Sequence, residues 1–279
     1  RYSLDEMDKL AKRVVERSVA VPGVQAKLSM SLVRRAKEKT DARLTVVGAL
    51  GGQYILKPPS ETFPEMPENE HLTMRMAAAF GIQVVPSSLI RLASGELAYI
   101  TKRIDRTVQG EKIHMIDMFQ ITEAFDKYKS SMEKVGKALG AYSSRPLLDN
   151  IFYFELALFA FLTGNKDMHL KNFSMMESAS GCVLSPAYDL LNVSIVNPDD
   201  TEELALTMTG KKRKFRQEHF MAFGRELGLT EKQIGRAFDR MVRNRETSIR
   251  LIDQSFLSEE MKTAYKAVMQ RRYTQLSFL

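Results

Sequence analysis

Residues Ile151 to Leu162 form the longest apolar run of the chain, broken only by Glu155. A helix that is apolar on every side belongs inside a large core, not on a surface. The run is too short for a bilayer, which takes roughly 20 residues. A chain of 279 residues has enough length to surround it. The run ends at Gly164, and polar residues follow at once in Gly164-Asn165-Lys166-Asp167-Met168-His169-Leu170-Lys171-Asn172-Phe173-Ser174. This segment reads as a loop presented by a buried helix.

The rest of the chain divides by pattern. Leu4, Met7, Leu10, Val14 and Val15 recur at helical spacing over residues 4 to 17. A Pro22-Gly23 turn precedes short strands at Leu28 to Val33, Leu44 to Val47 and Tyr54 to Lys57, with Gly51-Gly52 expected as a hairpin turn. Pro58 biases Lys57 toward the extended conformation of a strand. Glu68 to Phe80 reads as a helix stopped by Gly81. Ile82 to Leu92 and Glu96 to Ile104 read as strands joined at Ser94-Gly95. Beyond about residue 110 the pattern predicts helices over 115–127, 131–140, 147–163, 217–227, 231–251 and 258–273. The expected class is therefore α+β, with a small strand-rich N-lobe over 1–108 and a larger all-helical C-lobe over 109–279.

Composition narrows the setting. The one cysteine, Cys182, excludes an internal disulfide framework and a Cys-rich zinc site, and a cytoplasmic protein is the simplest expectation. Arg1-Tyr2-Ser3-Leu4-Asp5-Glu6 carries no apolar signal segment and no Met, so the chain is expected to begin inside a longer one. No membrane association is expected. A net charge of +7 leans toward polyanionic partners such as nucleotides, acidic protein surfaces or nucleic acid.

The segment after the apolar helix carries chemistry. Asp167 and Asn172 lie five residues apart, which on a continuous helix would point them about 140° from each other; on a loop they can converge. Phosphoryl transfer needs a carboxylate to receive or orient the acceptor hydroxyl proton and an amide oxygen to hold metal, and a protein-kinase catalytic loop supplies them at this spacing. Asp189, in Ala187-Tyr188-Asp189, follows 22 residues after Asp167, where a kinase places the aspartate that holds magnesium against the phosphates. Lys57 lies on a strand after a turn loop, as expected of the lysine that grips the α- and β-phosphates. Glu70 on the following helix is either its ion-pair partner or a helix N-terminal acid favoured by the dipole.

These residues resemble the HipA-like serine/threonine kinases of bacterial toxin–antitoxin systems. The resemblance runs from about residue 18 to the end. It rests on Pro22-Gly23-Val24-Gln25-Ala26-Lys27, Ile55-Leu56-Lys57, Asn69-Glu70, Ile100-Thr101-Lys102-Arg103-Ile104-Asp105-Arg106, Gly164 to Asn172 and Ala187-Tyr188-Asp189. It implies a protein-kinase-like two-lobe fold that uses ATP and Mg2+. Asp167 would be the catalytic base, Asn172 and Asp189 the magnesium ligands, and Lys57 the phosphate ligand. Pro22, Gly23, Val24, Gln25, Ala26 and Lys27 would form the phosphate loop, with Lys102, Arg103, Ile104, His169 and Tyr188 around the nucleotide. The implied partners are a protein substrate from the translation machinery, such as an aminoacyl-tRNA synthetase, and a helix-turn-helix antitoxin through which DNA is reached indirectly.

There are two departures. Family members often carry an autophosphorylated serine where this chain has Ala20, with Ser18 close by. Longer members have an extra N-terminal subdomain, which the shorter, HipT-like form lacks and a separate protein would then supply. Other readings stay open beside the kinase: a silent antitoxin- and DNA-complex binding module, a small-molecule phosphotransferase, or a metal hydrolase using Asp167, His169 and Asp189. Lys171 either neutralises the transferring phosphoryl or faces solvent. The run Lys211-Lys212-Arg213-Lys214 with Arg216, and Arg236, Arg240 and Arg243, are either solvated faces or a surface for nucleic acid.

Overall fold

A computed structural model describes residue 3 and residues 27–34, 42–47 and 51–278. The helix expected over 4 to 17, the loop residues Pro22 to Ala26, Ser18 and Ala20 lie outside the described residues. Two compact units emerge, Arg1–His71 with Val85–Ile113, and Leu72–Val84 with His114–Leu279.

The first unit is built on strands β1 (Leu28–Arg34), β2 (Ala42–Val46), β3 (Tyr54–Lys57), β4 (Ser87–Arg91) and β5 (Leu97–Lys102). They form an antiparallel sheet in the order β2-β1-β3-β5-β4. Leu28, Met30, Leu56, Leu92, Ala98 and Ile100 are buried together, and Leu44, Val46, Tyr54 and Ile90 pack against them. β1 thus lies between β2 and β3, so Gly51-Gly52 does not close a hairpin between them. It carries the chain from one edge of β1 to the other. The turn needs glycine: Gly52 has a φ of +82°, and a Cβ there would sit 2.6 Å from the Ser29 hydroxyl and 2.7 Å from the Met30 carbonyl. Ser94-Gly95 does join neighbouring strands, β4 and β5, with Gly95 at a φ of +108°.

Helix α1 (Met66–Ala79) begins in the first unit and ends in the second. It stops at Gly81, whose φ is +81°, and the Ile82 amide closes the end on the Ala77 carbonyl at 3.0 Å.

The second unit is mainly helical: α2 (Met118–Ile121), α3 (Met132–Tyr142), α4 (Pro146–Leu162), α5 (Val193–Val196), α6 (Gln217–Glu226), α7 (Glu231–Arg243), α8 (Arg245–Asp253) and α9 (Glu259–Gln275). It is not all-helical. β6 (Met115–Asp117), β7 (Ser174–Ser178) and β8 (Gly181–Leu184) form an antiparallel sheet in that order, with Asp117 opposite Ser174 and Met176 opposite Val183. The expected helix over 115–127 is therefore a strand followed by one helical turn, which the Asp117 carboxylate caps by accepting from the Gln120 amide. The single helix expected over 231–251 breaks at Asn244, whose side-chain amide donates to the Arg240 carbonyl at 2.9 Å.

α4 is the centre of this unit. Pro146 opens it, and every residue from Tyr153 to Leu162 is buried. Its aromatic rings meet others edge-on, Phe159 with Phe80 at 5.4 Å and Tyr153 with Phe173 at 5.1 Å. Glu155, the one carboxylate in the run, accepts from Arg240 at 2.8 Å. Burial still raises its pKa, against the opposing pull of that guanidinium. At the helix N-terminus the buried Asp149 accepts from the Ser143 hydroxyl at 2.6 Å, from Arg145 Nε at 3.0 Å and from the Leu184 amide at 2.7 Å. That carboxylate ties α4 to β8.

Candidate active site

In the first unit, β3 carries Lys57 at its end, opposite Tyr99 in the register. The Lys57 ammonium is buried and lies 2.6 Å from Glu70 Oε1 on α1 and 5.5 Å from the centre of the Tyr99 ring. Burial, and after it the nearby charge of Lys27, lower its pKa to about 8, while Glu70 pulls it up. Lys57 thus pairs with Glu70 within reach of the charge of a second lysine. Arg103 is engaged elsewhere: its guanidinium grips Asp105 through two bonds at 2.9 and 2.7 Å, and its amide donates to the Gln53 carbonyl at 2.8 Å. Lys102 is exposed and Ile104 half-buried just after β5.

In the second unit, Thr163 caps the end of α4, and Gly164 turns the chain with a φ of +69°. The Asn165 amide closes the helix on the Ala160 carbonyl at 2.8 Å. A Cβ on Gly164 would come within 2.8 to 2.9 Å of Asn192, Val268 and Ser194. The loop after it is bonded to itself. Buried Asn165 accepts from the Asp167 amide at 3.3 Å, and the Asp167 carbonyl receives the His169 amide and the Asn172 side-chain amide, both at 2.8 Å. Asn172 thereby spends its side-chain N–H on the loop. His169 is buried, its Nε2 lies 4.0 Å from Asp167 Oδ1, and its amide donates to the Asp167 carbonyl. Lys166 turns away and donates to the Asn197 carbonyl at 2.9 Å and to that of Asp200.

Around this loop, the Tyr188 hydroxyl reaches the Lys171 carbonyl at 3.0 Å and the Ser174 hydroxyl at 2.5 Å. The Lys171 ammonium lies over the Phe119 ring at 4.8 Å. Asp189 sits between buried Ala187 and Leu190 with a φ of +59°, in the left-handed region that an aspartate adopts at a cost of about 1–2 kcal/mol. Asn172 and Asp189 offer hard oxygen donors, which suit magnesium; that ion keeps several waters and substrate phosphates among its ligands and does not need a closed protein cage. Among the described residues, no group of three His, Cys, Asp or Glu side chains is placed to hold a metal.

One residue at this site carries no signal in the sequence pattern. The Tyr128 hydroxyl donates to Asp167 Oδ1 at 2.8 Å, from a loop 39 positions earlier. The basic run is partly engaged, with Lys211 near His219 at 3.0 Å and Lys212 on Glu202 at 3.2 Å, and Arg240 is committed to Glu155.

The family described as HipA-like C-terminal domain matches residues 19–249. A protein of Haemophilus influenzae named putative kinase is 26% identical over 258 residues, spanning 82% of this chain and 75% of its own length. The serine/threonine-protein kinase toxin HipA of Shewanella oneidensis is 27% identical over 210 residues, 68% of this chain and 46% of that protein. The chain thus spans less than half of that toxin. The solved complex of Shewanella oneidensis HipA with HipB and operator DNA contains a chain of the same fold, with a TM-score of 0.74 and 21% identity, covering 96% of this chain and 70% of that one.

Proposed function

Because the chain belongs to the HipA-like C-terminal domain family, we propose that it is an ATP- and magnesium-dependent serine/threonine protein kinase and the toxin of a bacterial toxin–antitoxin pair. The observation that carries this reading is the buried Lys57–Glu70 ion pair at 2.6 Å. Kinases need such a pair to hold the lysine on the phosphates, and burying it costs desolvation that a purely structural strand would avoid.

In this reading Lys57 and the loop from Pro22 to Lys27 bind the phosphates, and Glu70 holds Lys57 in place. Asp167 receives the proton of the acceptor hydroxyl as its oxygen bonds the γ-phosphorus and the bond to the ADP oxygen breaks. Asn172 and Asp189 hold magnesium, which when bound neutralises charge on the phosphates. Lys102, Arg103, Ile104, His169 and Tyr188 surround the nucleotide, Arg103 through its backbone, and Lys171 lies near the transferring group. Residues 1–108 and 109–279 act as N-lobe and C-lobe. The acceptor is a protein of the translation machinery such as an aminoacyl-tRNA synthetase. A helix-turn-helix antitoxin, and a separate protein in place of the extra N-terminal subdomain, are the partners, with DNA reached through the antitoxin. The cytoplasm is the proposed setting; no helix among the described residues is long and apolar enough to cross a membrane.

Titration calorimetry with ATP tests the nucleotide part. Binding is expected with magnesium, and affinity should fall at least tenfold when magnesium is left out or in Asp189→Ala. Equal affinity under all three conditions contradicts the metal assignment.

A further inference from the structure

Asp167 has two carboxylate oxygens, and phosphoryl transfer uses one of them. The other is already spoken for. Oδ1 accepts the Tyr128 hydroxyl at 2.8 Å, although Asp167 is itself 41% exposed and open to water. An exposed carboxylate on a loop is free to rotate about its side-chain torsions; a fixed donor on one oxygen removes that freedom and leaves Oδ2 aimed by default.

Tyr128 is itself held from several sides. Its ring meets the buried His169 ring edge-on at 5.1 Å and an angle of 77°. The Lys127 ammonium lies over the same ring, 4.9 Å from its centre. Its amide donates to Asp126 Oδ1 at 2.9 Å, and the preceding carbonyl, of Lys127, accepts the Leu170 amide at 3.2 Å. The loop is anchored downstream as well, where the Thr207 amide bonds the Ser130 carbonyl at 3.2 Å and Ser131 caps α3. A side chain that had to leave on every turnover would not be fixed through backbone, ring and hydroxyl at once.

We propose that Tyr128 is a positioning residue for phosphoryl transfer: its hydroxyl holds Asp167 Oδ1 so that Oδ2 meets the incoming serine or threonine hydroxyl. The proposal rests on the kinase reading above. Burial, and after it the hydrogen bond to the Asp167 carboxylate and the charge of that group, push the Tyr128 phenol well above its ordinary pKa, so it stays a donor across the working pH range. During transfer the acceptor proton moves to Oδ2, the acceptor oxygen bonds the γ-phosphorus, and the ADP oxygen departs; Tyr128 keeps its own proton throughout. The same loop displays Phe125, which is fully exposed, three positions before Tyr128.

The test compares Tyr128→Phe, which keeps the ring on His169 and loses only the hydroxyl, with Tyr128→Leu, which loses both. Phosphate transfer from radiolabelled ATP to casein and to a degenerate peptide library with one fixed serine is followed, with kcat and KM measured separately. Tyr128→Phe should lower kcat about ten- to a hundredfold with KM for ATP and peptide unchanged and an unchanged melting temperature. Tyr128→Leu should show the same loss of kcat and a lower melting temperature besides. If Tyr128→Phe matches the parent protein while Tyr128→Leu is impaired, the residue is a packing element and the proposal falls. A rise of kcat in Tyr128→Phe would make it a cap on Asp167 and also overturn the proposal. If the parent protein transfers phosphate to nothing, the kinase reading itself fails, and the proposal with it.

Discussion

Lys57 carries its charge in surroundings that oppose it. Burial lowers its pKa to about 8, so it gives up its proton more readily than an ordinary lysine in the nucleotide-free protein. Triphosphate oxygens beside it would favour the charged form and raise that value, so binding must take up protons in this range. Calorimetry of ATP binding at pH 8 in two buffers of different ionisation enthalpy should show net proton uptake that fades toward pH 6.5, where more of Lys57 is already charged. Lys57→Met should abolish the uptake; proton release, or none, contradicts the role given to Lys57. That Asp167 and Asn172 meet is legible in the sequence because one short loop carries them both. Tyr128 is not. Its bond to Asp167 is set by the packing of two loops 39 positions apart, and local spacing carries no trace of it.

At the scale of elements, the pieces whose signals are local are the legible ones. Tyr54–Lys57 is a strand with the expected limits, and α1 and α4 end at Gly81 and Gly164 as their glycines predict. The pairing of β6 with β7 is not legible, because Met115-Ile116-Asp117 runs straight into a helical turn and finds its partner, Ser174 to Met176, almost sixty positions later. Gly51-Gly52 misleads for a related reason: it marks a tight approach to β1, and only the strand order shows which pairs it serves. The hinge from α4 into the candidate catalytic loop is the element most sensitive to change. Gly164→Ala must take up a left-handed conformation and drive a methyl to within 2.9 Å of Asn192, Val268 and Ser194. Urea unfolding should show a loss of about 2 kcal/mol or more; an unchanged midpoint would mean that α4 and its neighbours part easily.

The whole molecule shares the fold of the Shewanella oneidensis HipA structure while spanning less than half of the sequence of the curated toxin. The α+β class and the position of the buried helix follow from hydrophobic pattern alone, since that pattern governs how much of each element is enclosed. What the protein acts on does not follow, because an acceptor is recognised by exposed side chains whose pattern answers to the partner and not to the core. The central claim is phosphoryl transfer from ATP by Asp167. Purified protein, its Asp167→Asn variant and a bacterial extract supply its most direct measurement, with phosphopeptides read by mass spectrometry after incubation with ATP and magnesium. The parent protein should place phosphate on serine or threonine of a translation protein, and Asp167→Asn, nearly isosteric and still folded, should place none. The same phosphopeptides at the same rate from both proteins, or none from either, would contradict the account.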